Sequence, residues 1–381
     1  SRRKLIPLYV TAVFLYWAAL YLYVPTLSVY AESKTDRLTW VGVILAMYGL
    51  WQAVIRLPLG IAADWVGRRK PFILVGFALA GLGALTMGMA DGVTGLIVGR
   101  ALTGFAAGAW VLLVVGFSGL FPPEDAVRAS AILSVVSSVA RIIATGSTGW
   151  LNGLGGYSLP FFVALGASGA AILVFLLVRE PKRAMQPVSL KQIGAFVTRR
   201  DVLLPSLLAT VLMYGVWSST FGFTPNLANR LGATDELLSL LASLNVGLVM
   251  LGNLVTSATV DKVGERTLVA IGFGFLGLGL GALALAQSMP VVFVGQILMG
   301  LASGVGYPVL MGLSIRDVDD SKRATAMGLF QAVYAIGMFS GPWLSGIVAD
   351  AAGLSWMFAF TGFVCVVAAA IGILRLAPKR A

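Results

Sequence analysis

The stretch Gly60-Ile-Ala-Ala-Asp64-Trp-Val-Gly67-Arg68-Arg69-Lys70 decides the fold. It lies between two long apolar runs and concentrates three positive charges at the mouth of a helix. A weaker copy, Asp261-Lys262-Val-Gly264-Glu265-Arg266, begins 197 positions after Asp64. A glycine-permitted turn, one carboxylate and a basic cluster, occurring twice, predict a duplicated membrane protein.

The composition agrees. The chain has 381 residues, 58% of them hydrophobic and 11% charged, whereas a soluble domain carries about 25% charged residues. A water-soluble fold is excluded on that ground. The net charge of +11 would suit nucleic acid, but the basic residues fall in short clusters between apolar runs, so no nucleic-acid partner is expected. The single cysteine, Cys365, cannot form an internal disulfide, and there is no histidine. The commonest metal ligand and the usual proton switch are therefore missing, and no cofactor or metal is expected. The first apolar run is too long for the core of a cleavable leader.

A bilayer-spanning helix needs roughly 20 mostly apolar residues. That criterion predicts an all-α membrane protein with twelve spans at 5–27, 39–63, 71–90, 93–117, 128–151, 158–178, 202–227, 236–259, 267–286, 290–314, 323–349 and 354–376. The polar stretch 179–201 divides the chain into six-helix bundles at 1–178 and 202–381 and is expected to be a central cytoplasmic loop. If both termini are cytoplasmic, that side carries 21 Lys and Arg and the opposite side only Lys34, Arg37 and Arg230. The positive-inside bias then places both termini in the cytoplasm of a cell membrane.

The halves repeat at a nearly constant offset: Asp64 with Asp261, Arg100 with Gln296, Arg128 with Arg323, and Gly104-x-x-x-Gly108 with Gly300-x-x-x-Gly304. Repeats of six spans are how alternating-access carriers are built, with the substrate site between halves near the midplane. Spans 3, 6, 9 and 12 are almost purely apolar and should face lipid. Spans 2, 5 and 8 carry Gln52, Arg56, Arg141, Asn245 and Asn253, which must face protein or water.

Twelve spans in two repeats, with Gly60-x-x-x-Asp64-x-x-Gly67-Arg68-Arg69-Lys70 between spans 2 and 3, resemble the major facilitator superfamily over essentially the whole chain. The run Tyr48-Gly-Leu-Trp-Gln52 through Pro58-Leu-Gly60 resembles its drug-efflux branch, which exchanges substrates for protons. The resemblance implies that Gly60, Asp64, Gly67, Arg68 and the repeat carboxylate Asp261 act in gating, with Asp64 latching the cytoplasmic side against a helix end of the other half. Arg100, at the head of Arg100-x-x-x-Gly104-x-x-x-Gly108, resembles the family's conserved-arginine helix; the adjacent glycine face should bury it, so a cavity or relay role is expected, and it is grouped with the gating residues. Two departures stand out. Trp65 replaces a usual basic residue, and span 5 reads Gly146-Ser147 where proton antiporters of the family carry Gly-Pro; that form occurs instead in span 11, as Gly341-Pro342.

The candidate substrate site comes from periodicity. In span 5, Ser134, Ser137, Ser138, Arg141, Thr145 and Thr148 recur at three- and four-residue steps on one face. Arg141 lies thirteen residues from Arg128, roughly 20 Å into the membrane, and a charge at that depth marks a functional site. Tyr48, Gln52 and Arg56 form a second stripe in span 2. Aromatic residues gather in spans 1 and 7: Trp17, Tyr214 and Trp217 are expected to line the cavity, whereas an interfacial aromatic belt accounts for Tyr21 and Tyr23. The substrate-binding set is thus Arg141, Ser138, Thr145, Arg56, Gln52, Trp17, Trp217 and Tyr214, with Arg141 as the main attraction.

All sixteen acidic residues map to loops or helix ends, whereas Arg56, Arg100 and Arg141 lie within spans. A cation carrier would need an intramembrane anion, so a positive, aromatic-walled cavity predicts a secondary transporter of organic anions or acidic-headed amphiphiles. The expected direction is export, by resemblance. A proton-coupled multidrug efflux antiporter of neutral or cationic compounds is the alternative. The expected partners are a small-molecule substrate, the lipid bilayer and a coupling ion, either a proton or an exchanged anion, and the expected state is monomeric. Gly272-x-Gly274-x-x-Gly277 matches a dinucleotide fingerprint but lies inside an apolar span with no strand before it. No Gly-x-Ser-x-Gly occurs, and no enzyme is expected.

Overall fold

The hydrocarbon interior offers no water to backbone amides, so each spanning segment must satisfy them within itself, as a helix does. The computed structural model describes residues 2–122, 125–180, 199–319 and 323–376. It contains twelve helical spans long and apolar enough to cross a membrane, and no strand occurs among the described residues. Span 1 runs Arg2–Tyr21 and resumes as Val24–Glu32. Spans 2 to 6 are Leu38–Val66, Lys70–Gly88, Val93–Ala107 continued by Ala109–Ser118, Ala126–Gly155 and Ser158–Leu176. Span 7 is Arg200–Ser218, a π turn at Ser219–Phe223, then Thr224–Arg230. Spans 8 to 12 are Asp235–Val263, Glu265–Ala284, Met289–Arg316, Arg323–Ala352 and Leu354–Arg375. The expected central loop falls largely on 181–198, outside the described residues.

The repeat is visible in local chemistry. Spans 2 and 8 stop at Gly67 (φ 66°) and Gly264 (φ 86°), left-handed positions that glycine adopts without steric cost. Spans 1 and 7 are both interrupted, and Pro25 and Pro225 sit in the first turn of the resumed pieces. Proline lacks the N–H that an uninterrupted helix would use there, but the first turn leaves that group unbonded anyway. The paired glycines of spans 4 and 10 have the same task in each half. A Cβ on Gly104 would lie 2.8 Å from the Tyr48 carbonyl oxygen of span 2, and one on Gly300 would lie 2.8 Å from Leu248 Cβ of span 8. Small residues let the backbones approach this closely.

The halves meet along two helix pairs, span 2 with span 11 and span 5 with span 8. Span 12 turns Trp356, Phe360, Phe363, Ile371 and Leu374 outward, and span 3 exposes Val75 and Leu82. Apolar exposure on this scale suits lipid, not water. The central aromatic positions are therefore enclosed by spans 1, 2, 4, 5 and 7.

Candidate functional site

Three arginines come inward from the first half, and each finds an aromatic ring. The Arg100 guanidinium stands 4.4 Å from the Tyr48 ring centroid, Arg56 5.5 Å from Tyr334, and Arg141 5.3 Å and 5.6 Å from Trp17 and Tyr21. Cation–π attraction strengthens as the cation loses its water. Among the described residues none of the three forms an ion pair. Rings from the second half complete the wall: Trp217 stacks on Tyr48 at 5.4 Å, and Phe221 lies 6.2 Å from Tyr21. Tyr16 is anchored behind them by its hydroxyl, which donates to the Ala106 carbonyl at 2.7 Å.

The individual placements refine the sequence expectations. Arg141 Nε donates to the Ser137 carbonyl at 3.3 Å and Nη2 to Ser138 Oγ at 3.2 Å, so its fork is already partly engaged within its own helix. Thr145 bridges to Ser243 of span 8 at 2.9 Å. Arg56 Nη1 donates to Tyr334 Oη of span 11 at 2.7 Å, tying the halves. Gln52 is buried, with its Oε1 unpartnered. Trp17 packs on Trp110 and Tyr21.

Three placements bear on those expectations. Arg100 is 2% exposed and lines a cleft with Tyr48, Trp217 and Phe221, in keeping with a cavity position. Tyr21 and Tyr23 are not an interfacial belt. Both are buried, Tyr23 stacked on Phe161 at 4.6 Å, because span 1 continues to Glu32 and leaves them well below the surface. Tyr214 is directed away from the cleft, with Ser345, Thr361 and Cys365 of spans 11 and 12 as its neighbours.

At the glycine–basic loop, the Asp64 side chain lies outside the described residues. A Cβ on Gly60 would meet nothing within 4 Å, so packing does not require that glycine. Arg68 and Asp261 are exposed. The next two basic residues are tied to span 6 of the same half: Glu180 accepts from the Arg69 and Lys70 backbone N–H groups at 2.9 and 2.7 Å, and Lys70 Nζ donates to the Leu176 and Val178 carbonyls at 2.7 Å. A carboxylate at a helix N-terminus and an ammonium on C-terminal carbonyls are both favourable placements.

The opposite face carries a feature that sequence reasoning missed. Three carboxylates bridge the halves there. Glu32 accepts from Asn226 at 2.6 Å and Arg230 at 2.7 Å. Asp235 accepts from Asn152 at 2.9 Å and Tyr157 at 3.4 Å. Asp350, at the end of span 11, accepts from the Leu38 N–H at 2.9 Å, Thr39 Oγ1 at 2.6 Å and Arg37 Nε at 3.3 Å, and so covers the N-terminus of span 2. Burial and then the Asp235 charge push the Tyr157 phenol up, which keeps it a donor. Toward the basic face on span 8, a Cβ on Gly247 would meet nothing within 4 Å, and Leu251 and Leu254 are exposed.

Two pseudo-symmetric six-span halves around a cationic, aromatic centre, bridged by carboxylates at one face, define a membrane carrier. The Major Facilitator Superfamily profile matches residues 9–226 and 206–381, and the chain belongs to that family. It is 26% identical over 357 residues to the class H tetracycline resistance protein of Pasteurella multocida, covering 87% of this chain and 86% of that one. It is 25% identical over 345 residues to the inner membrane transport protein YajR of Escherichia coli, covering 86% and 74%. Among solved structures, a bacterial homologue of the human lysosomal transporter Spinster, inward-facing and unoccupied, superposes with a TM-score of 0.81 at 16% identity, covering 98% and 96%.

Proposed function

We propose that this transporter moves an organic anion or acidic-headed amphiphile by alternating access, with the halves 1–178 and 202–381 rocking about the central cleft. The observation that carries this reading is the centre itself. Arg56, Arg100 and Arg141 each lie over an aromatic ring, with no ion pair to any described carboxylate. A low dielectric enlarges that positive potential, and aromatic walls suit an apolar body. The wall residues Gln52, Ser138, Thr145, Trp17 and Trp217 would contact the cargo.

Export is the direction favoured by the likeness to a chloramphenicol efflux pump of Mycobacterium tuberculosis, 25% identical over 353 residues. The basic face is cytoplasmic on the charge bias, so the carboxylate-bridged face is the outer one, in a monomer of the cell membrane. On that orientation Asp64, Gly67, Arg68 and Asp261 belong to the cytoplasmic gate. The coupling ion is a proton or an exchanged anion.

Proteoliposomes loaded with a fluorescent aromatic carboxylate test the reading. Its efflux should respond to membrane potential, or to a counter-anion, and a matched organic cation should not be moved. Transport of the cation with stoichiometric proton movement, and none of the carboxylate, would establish the drug–proton antiport alternative instead.

A further inference from the structure

The three central arginines are not equivalent. Arg56 donates through Nη1 to Tyr334 and leaves only Nε buried without a partner, and Arg141 donates to Ser137 and Ser138. Arg100 is 2% exposed, and both its Nε and Nη1 lack a hydrogen-bond partner. A buried guanidinium with idle donors is unfavourable unless something engages them; stacking on Tyr48 offsets only part of that. The cleft that Arg100 lines is closed by Tyr21, Tyr48, Trp217 and Phe221, from both halves of the chain.

The repeat counterpart of Arg100 is neutral. Gln296 Oε1 accepts from Thr220 Oγ1 and Asn245 Nδ2, each at 3.2 Å. A second cleft on that side is lined by Gln296, Thr220 and Thr224 and shares Val24 and Phe221 with the first. Thr224 Oγ1 is buried and has no partner. Both clefts adjoin the breaks in spans 1 and 7, and interrupted helices and π turns characteristically mark binding sites in transporters.

Resting on the anion reading above, we infer that Arg100 seats the acidic head of the cargo, while the Thr224–Gln296 cleft receives an uncharged hydrogen-bonding group. The shared wall of Val24 and Phe221 separates the two positions. The cargo class is then a mono-anionic amphiphile with a flat apolar body and a neutral polar group at its far end. A planar guanidinium offers two parallel donors to a carboxylate, which a lysine ammonium cannot. A dianion would leave its second charge against neutral groups.

The test uses the purified full chain with three probes: a naphthoic acid, its hydroxy derivative and its neutral amide. Binding is measured by calorimetry. Arg100→Gln should weaken the acid about tenfold or more and leave the amide unchanged, and its loss for the acid should exceed that of Arg141→Gln. Thr224→Val should remove the advantage of the hydroxy derivative over the parent acid. Equal binding of the acid to wild type and Arg100→Gln would overturn the assignment, as would an equal loss for acid and amide. If Arg100→Gln does not fold, Arg100→Lys decides. It should bind the acid at least about threefold more weakly, since the charge remains but the fork is lost; unchanged binding overturns the assignment. Failure of the wild type to bind any naphthoate would sink the anion reading itself, a different result from tight binding that ignores Arg100.

Discussion

Replacing Asp350 by asparagine should open the face that is sealed here. The carboxylate closes the start of span 2 with three contacts, at 2.9 Å from the Leu38 N–H, 2.6 Å from Thr39 Oγ1 and 3.3 Å from Arg37 Nε. Leu38 and Asp350 lie in different halves, so these bonds exist only while this face is closed. Arg37 is 69% exposed, and an exposed pair is worth close to nothing. The remainder resembles a helix N-cap reinforced by the helix dipole, about 1 kcal/mol together. Asparagine keeps one acceptor and loses the charge. The closed-to-open ratio should therefore fall about fivefold. Spin labels at Asp91 and Ala352, on either side of the seal, with Cys365 replaced by alanine, read that ratio as the weight of a longer distance. An unchanged distribution would mean that Asp350 stabilises span 2 without latching the halves.

Other consequences can be measured independently. Asp64→Asn should shift the population the opposite way, toward the state open at the basic face, with per-site substrate affinity nearly intact; label distances across that mouth check it. A cysteine at Ser189 should resist membrane-impermeant reagents in intact cells, because the central loop is cytoplasmic in the proposed orientation. Gly104→Val should lower the melting temperature and the folded yield, since its Cβ would fall 2.8 Å from the Tyr48 carbonyl oxygen and overpacking costs about 1–3 kcal/mol. Gly274→Val, where a Cβ meets nothing within 4 Å, is the matched control and should leave both unchanged.

The parts of the fold legible in the sequence are those that the bilayer imposes one segment at a time. Length and apolarity alone set twelve spans, and they lie within about five residues of the observed helices. The constant offset between halves likewise carried real packing information, because Gly104 and Gly300 each seat the second helix of their own repeat. Depth was harder to read. Ending span 1 at residue 27 made Tyr21 look interfacial; ending it at Glu32 sinks Tyr21 by a further turn and more, into reach of Arg141 and Phe221. The break at residues 22 and 23 hid this, since periodicity is counted along an unbroken helix.

Pairing across the halves was not legible at all. A 3.6-residue period says which face Tyr48 occupies and nothing about Trp217, 169 positions away, which stacks on it. The same blindness explains Asp350. A carboxylate at a helix end is ordinary in any membrane protein, and only the arrival of Leu38 beside it makes it a latch. Arg100 was legible only in part for a related reason. Its motif places it on a tightly packed helix and so implies burial, but not that two guanidinium nitrogens are left without partners in a cleft shared by both halves. Charge inside a membrane is therefore best weighed by what it fails to bond. By that measure Arg141 is the most engaged of the three, Arg56 keeps one idle nitrogen, and Arg100, with two, has the most to offer a substrate.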